Sequence, residues 1–122
     1  MTKKLTVVLG ASPKPQRFSN KALRLLTTHG HPVIPVHPLH KEIEGLKVAH
    51  SIEAIDQPVD TVTVYLSPDT GAKMGPALLK LKPKRVIFNP GAESEVLEEA
   101  LKGSGIEIVR DCTLVMLGAG KF

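Results

Sequence analysis

Gly10-Ala11-Ser12-Pro13-Lys14-Pro15-Gln16-Arg17-Phe18-Ser19 gathers a glycine, two hydroxyls, two prolines, a lysine and an arginine in one short stretch. Each type contributes something an anion needs. Gly10 can take torsions closed to other residues and lets a ligand approach the backbone. Ala11 and Ser12 offer main-chain amides, and Ser12 adds a hydroxyl. Lys14 brings a mobile charge and Arg17 a planar fork of donors. Pro13 and Pro15 restrict the loop, which lowers the entropy lost on binding. Ser19 is placed to cap a helix from about Asn20 to His29, whose first turn directs free amides and partial positive charge back toward the loop. The chemistry of the set is a cradle for a phosphate or pyrophosphate.

Other reactive residue types form no comparable group. His29, His31, His37 and His40 crowd the next segment. They are spread over a helix end, a strand and a loop, which matches no metal-ligand spacing, so no metal site is expected. His37 beside a phosphate would serve as a protonated imidazole. The single cysteine, Cys112, excludes an internal disulfide and a multi-cysteine zinc site, and reads as an inert thiol. Asp60, Asp69 and Asp111 have no partner for paired acid–base work, and Ser12 and Ser19 lack a nucleophile setting. No catalytic residue is assigned.

The elements that must position the cradle follow from pattern. Leu5–Leu9 is a continuous apolar run, the mark of a central parallel strand covered on both faces. Ala22, Leu25, Leu26 and His29 share a helical face, with Gly30 and Pro32 ending that helix. Val33–Val36 is a second strand, with Pro35 confining it to an edge or an end. Leu46–Val48 reads as a very short edge strand. Val59–Leu66 puts Val62, Val64 and Leu66 on one face and Val59, Thr61, Thr63 and Tyr65 on the other. Ser67-Pro68-Asp69 starts a helix interrupted at Gly75-Pro76. Arg85–Phe88 is a strand, Ser94 to about Lys102 a helix and Ile106–Val109 the last strand. The tail Cys112–Leu117 reads as a strand or a packed segment, which either covers the core or joins two copies of the chain.

This alternation is that of one α/β domain over residues 1–122: a Rossmann-like open parallel sheet with helices on both faces. The expected order is 3-2-1-4-5-6 with a stunted third strand. Ligands bind where such an order reverses, outside the carboxyl ends of the first and fourth strands. That rule brings Gly10–Phe18, Ser67–Pro68 and Asn89–Gly91 to one edge, bordered by His37–Lys41.

The ligand class narrows further. The dinucleotide pattern wants glycines where this chain has Gly10, Ser12 and Pro15. An NAD site wants an acid after the second strand, and His37-Pro38-Leu39-His40-Lys41 is neutral to basic there. NADP, coenzyme A and related phosphorylated nucleotides remain. The formal charge of +4 agrees with an anionic partner. It also leaves a nucleic-acid-binding regulator as a third reading, though Phe18, Tyr65, Phe88 and Phe122 are too few and scattered for base stacking. Met1-Thr2-Lys3-Lys4 before Leu5–Leu9 faintly resembles a leader, but the apolar run is short and ends in a structural turn. No apolar stretch is long enough to span a membrane. A cytoplasmic protein without membrane contact is expected.

"GASPKPQRFSNKALRLL", "HGHPVIPVHP", "IEGLKVAHSI", "PVDTVTVYLSPD", "RVIFNPGAES" and "GIEIVRDCTLV", in this order, resemble the small stand-alone CoA-binding proteins. The same Rossmann-like domain opens the succinyl-CoA synthetase α subunit. The resemblance covers nearly the whole chain. It implies a module that binds coenzyme A or an acyl-CoA and has no catalysis of its own; the alternative is an NADP-linked reductase or a CoA-dependent enzyme. It further implies that Gly10, Ala11 and Ser12, with Arg17, hold the phosphates, beside the Lys14 and Ser19 that the loop chemistry adds. Pro35, Val36, His37 and Pro38 would flank the nucleotide. Tyr65, Leu66, Ser67 and Pro68 would line the crevice, and Asn89, Pro90 and Gly91 would approach the extended part of the ligand.

Overall fold

The computed structural model describes residues 3–122; Met1 and Thr2, half of the basic lead, lie outside the described residues. Five strands form one parallel sheet: β1 (Thr6–Leu9), β2 (Val33–Val36), β5 (Thr61–Val64), β6 (Arg85–Phe88) and β7 (Glu107–Arg110), in the order β2-β1-β5-β6-β7. The order reverses at β1, as expected. Between β2 and β5 lie two-residue strands β3 (Glu42–Ile43) and β4 (Leu46–Lys47).

The stunted third strand is smaller than the sequence suggested. β4 pairs antiparallel with β3, not with the main sheet. The two-residue turn between them, Glu44-Gly45, has positive φ at both positions (52° and 75°), the requirement of a tight type I′ hairpin. Only Ala49 reaches β2, through a single parallel bridge to Val36. Its amide donates to the Pro35 carbonyl, and its carbonyl accepts from the His37 amide. In an extended strand a residue's N–H and C=O point to the same side. The amide that Pro35 lacks therefore faces this nearly unpaired edge and not β1, where a missing donor would cost a ladder bond.

Two apolar layers sandwich the sheet. Val7, Leu9, Val62, Val64, Val86 and Phe88 face α3 (Gly75–Leu81) and α4 (Glu95–Leu101) through Leu78, Leu97 and Leu101. Val8 faces α1 (Phe18–Thr28) and α5 (Thr113–Gly118) through Leu23, Leu26 and Leu117. The period-two split of the fourth predicted strand holds from Thr61 on, with Val62, Val64 and Leu66 on the first side and Tyr65 on the second; Val59, expected with Tyr65, precedes β5 and packs on the first side instead. The tail is α5, a helix; Met116 and Leu117 are buried, so it covers core.

Of the three serines at expected helix starts, Ser19, Ser67 and Ser94, two cap their helices. Ser67 accepts from the Thr70 amide at the head of α2 (Pro68–Gly71), with Pro68 at the first helical position. Ser94 accepts from the Leu97 amide and starts α4. Ser19 does not cap α1. That helix begins two residues earlier than expected, Arg17 occupies the cap position, and Ser19 is buried inside the first turn. The Gly75-Pro76 break appears as a 3₁₀ segment, Ala72–Met74, before α3.

Candidate functional site

Register brings the carboxyl ends of four strands to one level. Leu9 is the partner of Val36 on one side and of Val64 on the other, and Val64 is the partner of Phe88. The loops leaving these four residues therefore emerge side by side, at the point where the order reverses.

Gly10 makes their closest approach. Its φ is +91°, and a Cβ built on it would lie 3.0 Å from the carbonyl carbon of Tyr65 and 3.1 Å from both the Tyr65 oxygen and Leu66 Cδ2. Only glycine fits both the torsion and the contact. The Tyr65 amide donates to the Leu9 carbonyl at 2.8 Å, and the Ala11 amide donates to the Val36 carbonyl at 3.2 Å. The Ala11 amide is thus used within the fold.

The loop after Gly10 is tethered by residues whose role sequence reading missed. Asn20 Nδ2 donates to the Ser12 carbonyl at 2.9 Å and to Glu44 Oε2 at 3.1 Å. Arg24 donates from Nε to Asn20 Oδ1 and from Nη2 to the Pro15 carbonyl, both at 2.9 Å. Ser12 Oγ accepts from the Lys14 amide at 3.2 Å. The only hint in the sequence was that an Asn and an Arg stand four apart, one helical turn, on the helix that follows.

That tethering leaves Arg17 and Lys14 exposed and in no ion pair among the described residues. The first-turn amides of α1 have no side-chain cap, and no acid lies in that turn to offset the positive helix end. The loop is rigid where Asn20 and Arg24 hold it, and electropositive where Arg17 stands.

Two adjoining depressions meet here. A polar one of about 460 Å³ is lined by Gly10, Ser12, Arg17, Phe18, Ser19, Tyr65, Leu66, Ser67, Pro90 and Gly91. A larger one of about 600 Å³ lies across the β1 and β2 ends, between Val36, His37, Pro38, Leu66, Met74 and Ala77. They share Gly10, Tyr65, Leu66 and Ser67. The sequence-predicted loops are therefore brought together. Pro35 and Pro68 are next to lining residues and outside the linings themselves; Lys14 is outside both as well, and its neighbours Pro13 and Pro15 line neither depression. A further depression, walled by Ile55, Val59 and Leu81 and rimmed by Lys80, Lys82 and Lys84, adjoins the larger one and shares Ile52, Glu53 and Ala77 with it.

Asn89 has a different position from Pro90 and Gly91. It is buried, and its side chain works inside the protein. Nδ2 donates to Thr63 Oγ1 at 2.7 Å and to the Val64 carbonyl at 2.9 Å, while Oδ1 accepts from the Thr113 amide at 2.9 Å. The Thr63 and Thr113 hydroxyls are themselves 2.7 Å apart. Asn89 thus ties β5 to the start of α5 beneath the crevice floor. Asn89→Ala leaves buried groups unpaired and will lower the unfolding free energy by about 2 kcal/mol in denaturant titration. A loss under about 0.5 kcal/mol would show that these bonds carry no net stability.

Above this knot, burial pushes the Tyr65 phenol up to about 12; neighbouring Cys112 adds to the rise, and the Thr113 and Thr63 hydroxyls work against it. The phenol stays protonated at any physiological pH, and its buried oxygen has no well-formed hydrogen bond among the described residues. Among the described residues no group of three His, Cys, Asp or Glu side chains is arranged to hold a metal. No helix described is long and apolar enough to cross a membrane.

Comparison with known proteins agrees with this geometry. A crystal structure of an uncharacterized protein is 44% identical, with 100% of each chain covered and a TM-score of 0.87. The cell-free ID.343 protein of Thermus thermophilus is 31% identical over 98% of this chain and 91% of its own, with a TM-score of 0.89. The uncharacterized protein YneT of Bacillus subtilis (strain 168) is 27% identical over 88% of this chain and 80% of its own. The sequence model of the CoA binding domain matches residues 4–118, and with nearly the whole chain so matched, the protein belongs to the CoA-binding domain family.

Proposed function

We propose that the protein binds coenzyme A, or an acyl-CoA, across the carboxyl ends of β1 and β5. The observation that carries this reading is the paired depression: an electropositive half at the uncapped head of α1 joined to a more apolar half through Gly10, Tyr65, Leu66 and Ser67. Phosphates suit the first half, where Arg17 is exposed and the head of α1 has no side-chain cap. The second half has the size and lining of a small-molecule site, with Val36 and Pro38 offering flat apolar contact. The neutral-to-basic loop after β2 supports a phosphorylated ribose over a bare diol. On this reading the chain is a binding module, and no side chain in the crevice is assigned a catalytic role.

Calorimetry with CoA, dephospho-CoA, NADP and NAD tests it. CoA should bind most tightly and NAD least. No heat with millimolar CoA would defeat the reading. Equal affinity for CoA and dephospho-CoA would show that the 3′-phosphate is not recognised.

A further inference from the structure

His37 opens the loop after β2 and lines the larger depression. Its Nδ1 accepts two backbone hydrogen bonds, from the Leu39 amide at 3.0 Å and the His40 amide at 3.3 Å. A ring nitrogen that accepts cannot carry a proton. In the neutral ring the proton must therefore sit on Nε2, and the imidazole acts as the acceptor that Asn or Asp supplies in an Asx turn. A second proton has only Nδ1 to occupy. There it would meet two N–H donors and break both bonds.

The surroundings oppose that proton as well. The His40 ring lies 4.4 Å from the His37 ring, centroid to centroid. His50 lines the same depression from the segment that bridges β2, and Lys73 from the 3₁₀ segment after α2; Glu53 is the one acid in that lining and acts the other way. Lys41 follows in the loop. Burial first, then His40 and His50, hold the imidazole below its ordinary value.

We infer that His37 is a positioning residue whose neutral form closes the turn bordering the crevice, so that acid opens this turn and weakens ligand binding. The sign is the opposite of what a simple histidine–phosphate attraction gives. It is likewise the opposite of a protonated His37 beside a phosphate. The ligand half of the inference rests on the coenzyme A reading above; the turn half stands without it.

Nitrogen-15 NMR of the ligand-free protein and calorimetry with CoA, at about pH 7.5 and about pH 5.5, test the two halves separately. NMR should find His37 as the Nε2–H tautomer at the higher pH. Exchange at the Leu39 and His40 amides, corrected for intrinsic rates, should rise about threefold to tenfold on acidification, the equivalent of the weak bonds lost. His37→Asn keeps an acceptor and removes the titration, so its amides should show no such rise. His37→Ala should exchange fast at both pH values. In calorimetry the loss of CoA affinity on acidification should be about threefold to tenfold larger for the wild type than for His37→Asn. Comparing the two proteins cancels protonation of the ligand's own phosphates. An Nδ1–H tautomer, or equal acid responses of Leu39 and His40 in wild type and His37→Asn, would overturn the inference. If CoA binds at neither pH, the proposed function fails, and amide exchange still decides the turn.

Discussion

Gly10→Val will lower the unfolding free energy by about 4 kcal/mol and abolish CoA binding, read by denaturant titration and by calorimetry. Two separate terms add. A β-branched residue held at φ near +91° is strained by about 1–3 kcal/mol. The new Cβ also meets backbone, not a flexible side-chain tip: the carbonyl carbon of Tyr65 at 3.0 Å and its oxygen at 3.1 Å. Relieving that overlap must move the β5 end away from β1, at a further cost of about 1–3 kcal/mol. Total stability for a chain of this length is about 6–18 kcal/mol, so the variant remains mostly folded and its binding can be measured. Gly10→Ala should fall between, because its smaller side chain meets the same torsion and the same Cβ contact without branching. Binding suffers because Gly10, Tyr65 and Leu66 line both halves of the crevice. A Gly10→Val protein as stable as wild type would mean that the two loops are not held together as described.

The features that were legible in the sequence are those written in neighbouring residues. The continuous apolar run before Gly10 marked the central strand, and the serine caps of α2 and α4 stand next to the helices they start. Features that depend on distant partners were not legible. The roles of Asn20 and Arg24 depend on carbonyls of a loop whose path sequence does not give. Asn89 looked like a loop residue facing a ligand because its partners, Thr63 and Thr113, lie 26 and 24 residues away. The start of α1 lies two residues before the one Ser19 marks: Ser19 is a good cap by type, yet its side chain is buried and Arg17 takes the extended cap torsion. The tail was ambiguous because Thr113 and Val115 favour strand, while packing of Leu117 against α1 selects helix. For Ser19, Asn89 and the tail, tertiary contact overrode a local preference.

Arg17 and Arg24 stand seven residues apart in one sequence, and the fold gives them opposite work. Arg24 uses its guanidinium on Asn20 and Pro15. Arg17 lines the polar depression and makes no ion pair among the described residues. Arg17→Ala should therefore leave stability within about 0.5 kcal/mol of wild type. Its CoA affinity should fall about tenfold to a hundredfold, the loss of one charge-assisted contact to phosphate. Arg24→Ala should do the reverse: a loss of about 1 kcal/mol in stability, with a smaller drop in affinity that reflects a looser loop. Denaturant titration and calorimetry on the same two variants separate these outcomes. If Arg17→Ala binds CoA as wild type does, the phosphates lie elsewhere. If it loses stability and affinity together, Arg17 holds the loop, and the division of labour between the two arginines is wrong. A salt series adds an independent check, because an exposed cation acting on a phosphate is screened: wild-type affinity should fall with ionic strength more steeply than that of Arg17→Ala.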